Sequence, residues 1–522
     1  MSVFLYRDND PWRQVLEQEG VPVRCDWHKG THASVVLLSA EPDKSDIRTL
    51  RRLVEAGGAV IGSARSVSAI WPDVRCRRAR LDYIVPDDSP LFRNVGLIDI
   101  GQADWRAESA NTGIDQSGRP AIASLSMGAG HVIALPFELA RLAEDTRAVE
   151  RQFYVDSQRM AHERVSRVGR GDVRRLLANC IRQMLWRRGE PYAHLAYQPC
   201  GEKTVFGVRI DTDDGPATSL RATTGIADEA GLRLSWFVNT GAPAADLPYM
   251  RVLYKLGHDV QLHCRAHRVY RDYERNLANV KAGIEDMRSA GLRPCGFVAP
   301  YGDWNKELAR ALADSGIGYS SEFGYAYDDL PSFPTVGGRR SSVLQVPVHP
   351  VCLGLFSTAR ANAEAVAKHY RNYTELQVAR QEPCLLYDHP DAIERHADLF
   401  RTVIATGVTA ARGTTTLTAF ASWWRQRLAA RWHACHGKES ITLEVESAND
   451  DLPVMVERDG SYALVPLKDG ALRYDALPFA PARAMTMHRE DEMQARRLAL
   501  RARLRFGTRT VTKSLQERRQ KL

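Results

Sequence analysis

The chain has no CxxC pair, and its nine cysteines are scattered and odd in number. That excludes a disulfide framework and suits reduced thiols in a cytoplasmic setting. No uninterrupted apolar run of about 18 residues occurs, so no membrane-spanning helix is expected. The start, Met-Ser-Val-Phe-Leu-Tyr-Arg, lacks a basic segment followed by a long apolar stretch, so no secretory leader is expected. A basic surface interleaved with aromatics is also missing from the body of the chain, and nucleic acid is not an expected partner. The body is not even basic. The net charge is +8, yet residues 494–522 carry ten Lys/Arg against Glu517 alone, a local +9 that leaves −1 for everything else. This basic tail, 484–522, reads either as a solvated end or as an amphipathic face (Leu498, Leu500, Leu504, Phe506) making peripheral contact with an anionic membrane.

What is present fits about three domains in 522 residues. Residues 1–146 alternate short apolar runs (34–39, 59–62, 130–137) with amphipathic stretches such as 45–56. That pattern predicts a parallel α/β sheet with helices on both faces. Its texture resembles glutamine-amidotransferase-like, flavodoxin-like domains attached to sugar-processing enzymes. Neither Cys25 nor Cys76 sits on a Gly-flanked elbow, so the domain reads as non-catalytic, for interaction or homo-oligomerisation. Residues 147–199 read as a helical connector burying Leu176, Leu177, Ile181 and Leu185. From 200 to 436 strand candidates at 205–210, 234–238, 259–263, 295–299, 344–348 and 384–387 alternate with helices at 221–230, 273–290 and 306–315. Such a series predicts a (β/α) barrel, complete or incomplete, with its chemistry at the C-terminal ends of the strands. Residues 437–483 alternate strictly and carry Asp459-Gly460, which predicts a small antiparallel β module.

Two stretches carry chemistry. In Arg209-Ile210-Asp211-Thr212-Asp213-Asp214-Gly215-Pro216 a buried strand runs into three carboxylates, a costly cluster unless a cation or a shared proton relieves it. In Gly257-His258-Asp259-Val260-Gln261-Leu262-His263-Cys264-Arg265-Ala266-His267 two imidazoles lie four residues apart. Two imidazoles and one carboxylate form a three-ligand set that leaves a coordination position open. An isolated acid cluster or a lone HxxxH is more often solvated surface; the two at neighbouring strand ends are far more specific.

The order DxDDGP, GHDVQLHxxxH, FVAPYGDWN and LLYDHP resembles the polysaccharide deacetylase family, the NodB-homology domain of carbohydrate esterase family four, over roughly residues 200–430. The resemblance implies that Asp214, His263 and His267 bind a divalent metal, zinc being the expected ion. It further implies that Asp213 is the general base, that the backbone N–H of Tyr301 holds the oxyanion, and that His389 protonates the leaving amine. Three positions depart from the family pattern. Thr212 replaces an apolar residue and Asp211 is an additional acid, either a partner of the pair or a competitor of Asp213 for the base role. Cys264 replaces a Ser/Thr, and Val298 stands where an Arg orients the base, leaving Arg209 or Arg265 to do so.

Other residues have weaker claims. His349 ends a strand and could bind substrate, and Glu322, Tyr325 and Tyr327 with Asp328-Asp329 form an aromatic, acidic loop suited to sugar. His433-Ala434-Cys435-His436 looks like a metal cluster but sits among basic residues without further ligands, and Trp423-Trp424 suits core packing. The expected function is a cytoplasmic metal-dependent N-deacetylase acting on an N-acetylated sugar, nucleotide-linked or lipid-linked, as a precursor of a surface polysaccharide. Its rivals are an amidase acting on a non-sugar amide and a non-catalytic glycan-binding or scaffolding protein.

Overall fold

The computed structural model describes residues 3–25, 33–155, 158–199, 204–213, 215–243, 245–411, 413–437, 439–483, 493–495 and 497–498. Asp214 and nearly all of the basic tail therefore lie outside the described residues. Among the described residues no helix is long and apolar enough to cross a membrane.

The N-terminal region forms one nine-stranded sheet, and it is mixed rather than parallel. Val23–Arg24, Val3–Leu5, Val35–Leu38, Ala59–Ser63 and Gly130–Leu135 lie side by side and parallel. Pro120–Met127, Thr112–Asp115, Cys76–Val85 and Ile98–Ala107 then continue it antiparallel. The connections explain the change. Met127 reaches Gly130 through two residues only, with Gly128 at φ 60, and a link that short joins only antiparallel neighbours.

The connector is not wholly helical. Ala148–Val155 and Gln158–Ser166 form an antiparallel hairpin, followed by the helix Arg170–Arg187 and the strand Tyr192–Leu195. Its Arg- and Gln-rich composition favours helix, but Phe153, Val155, Ala161 and Val165 recur at even spacing and enter the barrel core, so period two wins over propensity. The helix buries the expected Leu176, Leu177, Ile181 and Leu185.

Residues from 206 to 388 build a curled, all-parallel seven-stranded sheet. In spatial order its strands are Leu344–Gln345, Tyr319–Ser320, Gly296–Phe297, Asp259–Cys264, Ser235–Asn239, Phe206–Asp211 and Cys384–Asp388. The two edge strands do not pair as strands. One bond, His349 N–H to the Leu385 carbonyl at 2.8 Å, draws the edges together, so the barrel is incomplete. Intervening helices start on capping side chains, Asp272 on the N–H of Arg275 and Asn305 on that of Leu308.

The C-terminal β elements are not a separate module. Asn449–Arg458 pairs with Tyr192–Leu195, uniting connector and module in one sheet, and Asp459-Gly460 forms its hairpin with φ 49 and 78. His433 and Cys435 lie on the strand Trp432–His436, not at a helix end, and alternation turns both outward while Trp432 and Ala434 are buried. Trp423 and Trp424 are core residues. A buried Arg174 ties the layers together, reaching Glu19 at 2.6 Å, Asp329 at 3.0 Å and Glu382 at 2.5 Å.

Candidate active site

The strand Phe206–Asp211 is buried along its whole length. Side chains two apart share a face, so Phe206, Val208 and Ile210 pack outward while Arg209 and Asp211 point into the barrel. There the Arg209 guanidinium grips Asp211 with both ends, Nε to Oδ1 at 2.9 Å and Nη2 to Oδ2 at 2.6 Å. Its remaining nitrogen donates to the Ser321 carbonyl at 2.6 Å, and its plane lies 4.7 Å from the Tyr387 ring centre. Arg265, the other candidate cation, pairs instead with Asp286 on the surface.

Beyond the strand end Thr212 continues the ladder. Its N–H bonds the Phe237 carbonyl at 3.0 Å and its hydroxyl receives the Asn239 N–H at 3.1 Å. Asp213 follows in the left-handed region at φ 41, an uncommon conformation for a residue with a Cβ. That turn carries its carboxylate to the imidazoles. Asp213 Oδ1 lies 3.0 Å from His263 Nε2 and 3.0 Å from His267 Nε2, and the two nitrogens are 3.1 Å apart. Burial pushes the Asp213 carboxyl up, but the bonds to His263 and His267 outweigh it and hold it far below the usual carboxylate range.

His263 ends the strand Asp259–Cys264, and its Nδ1 faces the Val298 carbonyl at 2.9 Å. A carbonyl only accepts, so Nδ1 carries the proton and Nε2 presents a lone pair toward Asp213 and His267. Val298 thus contributes its backbone where an Arg side chain was expected. An imidazole lone pair, a second imidazole nitrogen and a carboxylate oxygen at these distances need a proton or a cation among them. A tetrahedral ion with donors at roughly 2.0–2.2 Å separates them by on the order of 3.3 Å, close to the triangle observed. Asp213, His263 and His267 can therefore hold a metal ion. Cys352, Asp388 and His389 also cluster, but both Asp388 oxygens accept backbone N–H groups, from His389 at 2.9 Å and Leu353 at 3.1 Å, which leaves a poor ligand set.

The triangle floors a cavity of about 810 Å³ whose walls include Asp211, His389, Tyr301, Cys352, Tyr387 and Glu163. His389 Nε2 lies 3.4 Å from Asp213 Oδ2. Burial lowers the pKa of its imidazolium, but Cys352, Asp213 and Asp211 more than reverse this and raise it to about 10, which favours the protonated ring. Tyr301, left-handed at φ 58 and 72% exposed, stands at the rim with its ring 5.3 Å from that of His267.

Three expected substrate-binding residues lie elsewhere. Glu322 is fully buried, accepting from Ser320 Oγ and Gln345 Nε2, each at 2.7 Å, and from the Ala299 N–H at 3.2 Å. It braces the loop leading to Tyr301 from behind. Tyr325 packs between Trp304 and the Arg170 guanidinium, away from the cavity. His349 lines a separate cavity of about 120 Å³ beside the hairpin, bonded to Asp328 at 3.1 Å and His369 at 2.8 Å. Their loop meets the N-terminal layers, Asp329 reaching Gln18 and Arg174, each at 3.0 Å. Conversely, Glu163 and Cys352 reach the metal cavity without a motif to announce them. The available signal was Glu163 itself, a charge on the inward face of a strand between Ala161 and Val165.

Residues 205–320 match the polysaccharide deacetylase family model, so the chain carries a polysaccharide deacetylase domain. The solved structures it is similar to include one assigned as a polysaccharide deacetylase from Mycobacterium smegmatis, with 19% identity, 44% of this chain and 94% of that one covered, and a TM-score of 0.38. A chitin deacetylase from Colletotrichum lindemuthianum follows at 16% identity, 43% and 89% coverage and a TM-score of 0.32. A family-four carbohydrate esterase pseudoenzyme from Bacillus anthracis follows at 10% identity, 53% and 90% coverage and a TM-score of 0.31. The chain has no match among curated proteins.

Proposed function

We propose that the chain is a metal-dependent N-deacetylase that removes acetyl groups from an N-acetylated sugar. The observation that carries this reading is the Asp213–His263–His267 triangle on the floor of an open cavity. Zinc suits one carboxylate and two imidazoles best, and when bound it supplies electrophilic activation of water and of the amide carbonyl.

The two acids take roles one step earlier in the chain than the motif suggests. Asp213 takes a ligand place, because its carboxylate meets both imidazoles; Asp214, the expected ligand, lies outside the described residues. Asp211 then fills the base role expected of Asp213. Arg209 aims it with both prongs of its guanidinium, as the absent motif Arg would have done. Asp211 accepts the proton of the attacking water, His389 returns one to the departing nitrogen, and the Tyr301 N–H at the rim donates to the developing oxyanion. In this reading Arg209 stands in for the motif Arg that is absent at Val298.

The reading is tested by acetate release from N-acetylglucosamine oligomers with the zinc-loaded protein and its Asp211→Asn variant. Release that the substitution abolishes while zinc stays bound supports the enzyme. Zinc bound with no release from any oligomer supports a non-catalytic glycan binder, and hydrolysis of a cyclic ureide instead supports the amidase.

A further inference from the structure

The hairpin Ala148–Val155/Gln158–Ser166 precedes the segment that matches the family model, yet it forms one wall of the metal cavity. It is fixed there by the Ser166 N–H on the Phe323 carbonyl at 2.8 Å and by the ion pair of Arg164 with Asp303. Its second strand turns Ala161, Glu163 and Val165 to the barrel, and the two flanking residues belong to the barrel's core. An apolar residue at 163 would extend that core. A carboxyl there is costly unless it is satisfied; Oε1 accepts the Arg164 N–H at 2.6 Å, which leaves Oε2 to a group in the cavity.

The other charges of the wall narrow what that is. Arg209 is spent on Asp211 and Ser321, and Arg395 pairs with Asp391 one helical turn away. Among the described residues no lysine lines the cavity, while Glu163 and Glu394 add acids beside Asp213, His263 and His267. His389 is the remaining basic group and lies 3.4 Å from Asp213, so what the wall adds outside the reacting centre is carboxylate, which suits an ammonium better than a phosphate. Resting on the deacetylase reading above, we infer that Glu163 is a specificity-determining residue: it binds a free amino group on a sugar next to the N-acetylated one. The site thereby prefers partly deacetylated glycan chains over phosphate-linked sugars. Burial pushes the Glu163 carboxyl up to about 7 against the Arg164 N–H and the His389 charge that favour its ionised form, and a bound ammonium would favour that form further. The expected nucleotide-linked or lipid-linked precursor fits this wall poorly.

Calorimetric binding to the zinc-loaded full chain carrying Asp211→Asn separates this inference from the reading it rests on, since it needs no turnover. The probes are an N-acetylglucosamine tetramer, the same tetramer with one interior acetyl removed, and UDP-N-acetylglucosamine. The amino tetramer should bind roughly tenfold more tightly than the acetylated one, the value of a charge-assisted bond. That preference should shrink as salt rises and vanish in Glu163→Gln, whereas Glu163→Lys should favour the UDP-sugar. Equal binding of the two tetramers, a preference that survives Glu163→Gln, or UDP-sugar binding as tight as the tetramers would overturn the inference. Salt dependence in the Asp211→Asn protein alone decides the case if the Glu163 variants do not fold. Failure of acetate release from unsubstituted protein would sink the deacetylase reading and leave this binding preference standing.

Discussion

Arg209 and Asp211 stand two residues apart on one strand and meet as a two-pronged ion pair inside the barrel, Nε–Oδ1 2.9 Å and Nη2–Oδ2 2.6 Å. Both side chains are almost wholly withdrawn from solvent. Removing one partner of such a pair strands a buried charge and costs about 3–5 kcal/mol. Arg209→Met should therefore unfold at markedly lower temperature and lose turnover. Arg209→Lys keeps the charge but forfeits the fork, so it should fold near normally while kcat falls on the order of 100-fold. Thermal unfolding beside kcat separates the two effects. Equal activity in Arg209→Lys would remove Arg209 from any part in aiming the base.

Substituting the acids one at a time tests how the roles divide. Asp211→Asn leaves Arg209 facing a neutral partner and should melt at a lower temperature, but the folded protein should keep the metal and lose about 100- to 10,000-fold in kcat, the usual share of a general base. Asp213→Asn and His267→Ala should instead release the metal on dialysis, because each removes one corner of the triangle. Metal content by elemental analysis reads this directly. If Asp213→Asn retained its metal and only turnover fell, Asp213 would be the base after all.

How much of this was legible beforehand depended on periodicity. Alternating apolar runs placed six of the seven barrel strands, and the missed one, Tyr319–Ser320, is two residues long. The histidines were legible because HxxxH at a strand end is distinctive. The acids were less so: three carboxylates in four positions do not say which one meets the imidazoles, and Asp213 does so through its left-handed turn. The hairpin, and Glu163 with it, was hidden by a composition that favours helix. The antiparallel half of the first sheet was likewise set by short connections that strand–helix alternation does not reveal.

Glu322 gives a pH dependence whose sign runs against most carboxylates. Burial pushes its pKa up to about 7, against the bonds from Ser320 and Gln345 that favour the ionised form. Its folded-state pKa thus lies above the ordinary value near 4.5, so the folded protein binds the extra proton. Stability from this group is present below pH 4.5 and declines as pH rises through about 7. Glu322→Gln, neutral at every pH, should flatten that decline. Melting temperatures between pH 5 and 8, compared for the two proteins, should differ most at the alkaline end, and parallel curves would show that Glu322 does not titrate there.

The first layer and the barrel should behave as one folding unit, because Arg174 cannot be satisfied by either alone. It lies in the helix Arg170–Arg187 and meets Glu19 from the N-terminal sheet region and Asp329 and Glu382 from the barrel. Burial raises the Glu382 carboxyl's pKa, but Arg174 and Arg175 overcome this and hold it down at about 2. Arg174→Met would leave three buried carboxylates around an apolar side chain. A loss of about 3–5 kcal/mol is expected, seen as a lower midpoint in urea, and a single cooperative transition should persist in the unsubstituted protein. Two separate transitions in that protein, one insensitive to Arg174→Met, would mean that the layers fold independently and that the hairpin wall of the cavity is held by the barrel alone.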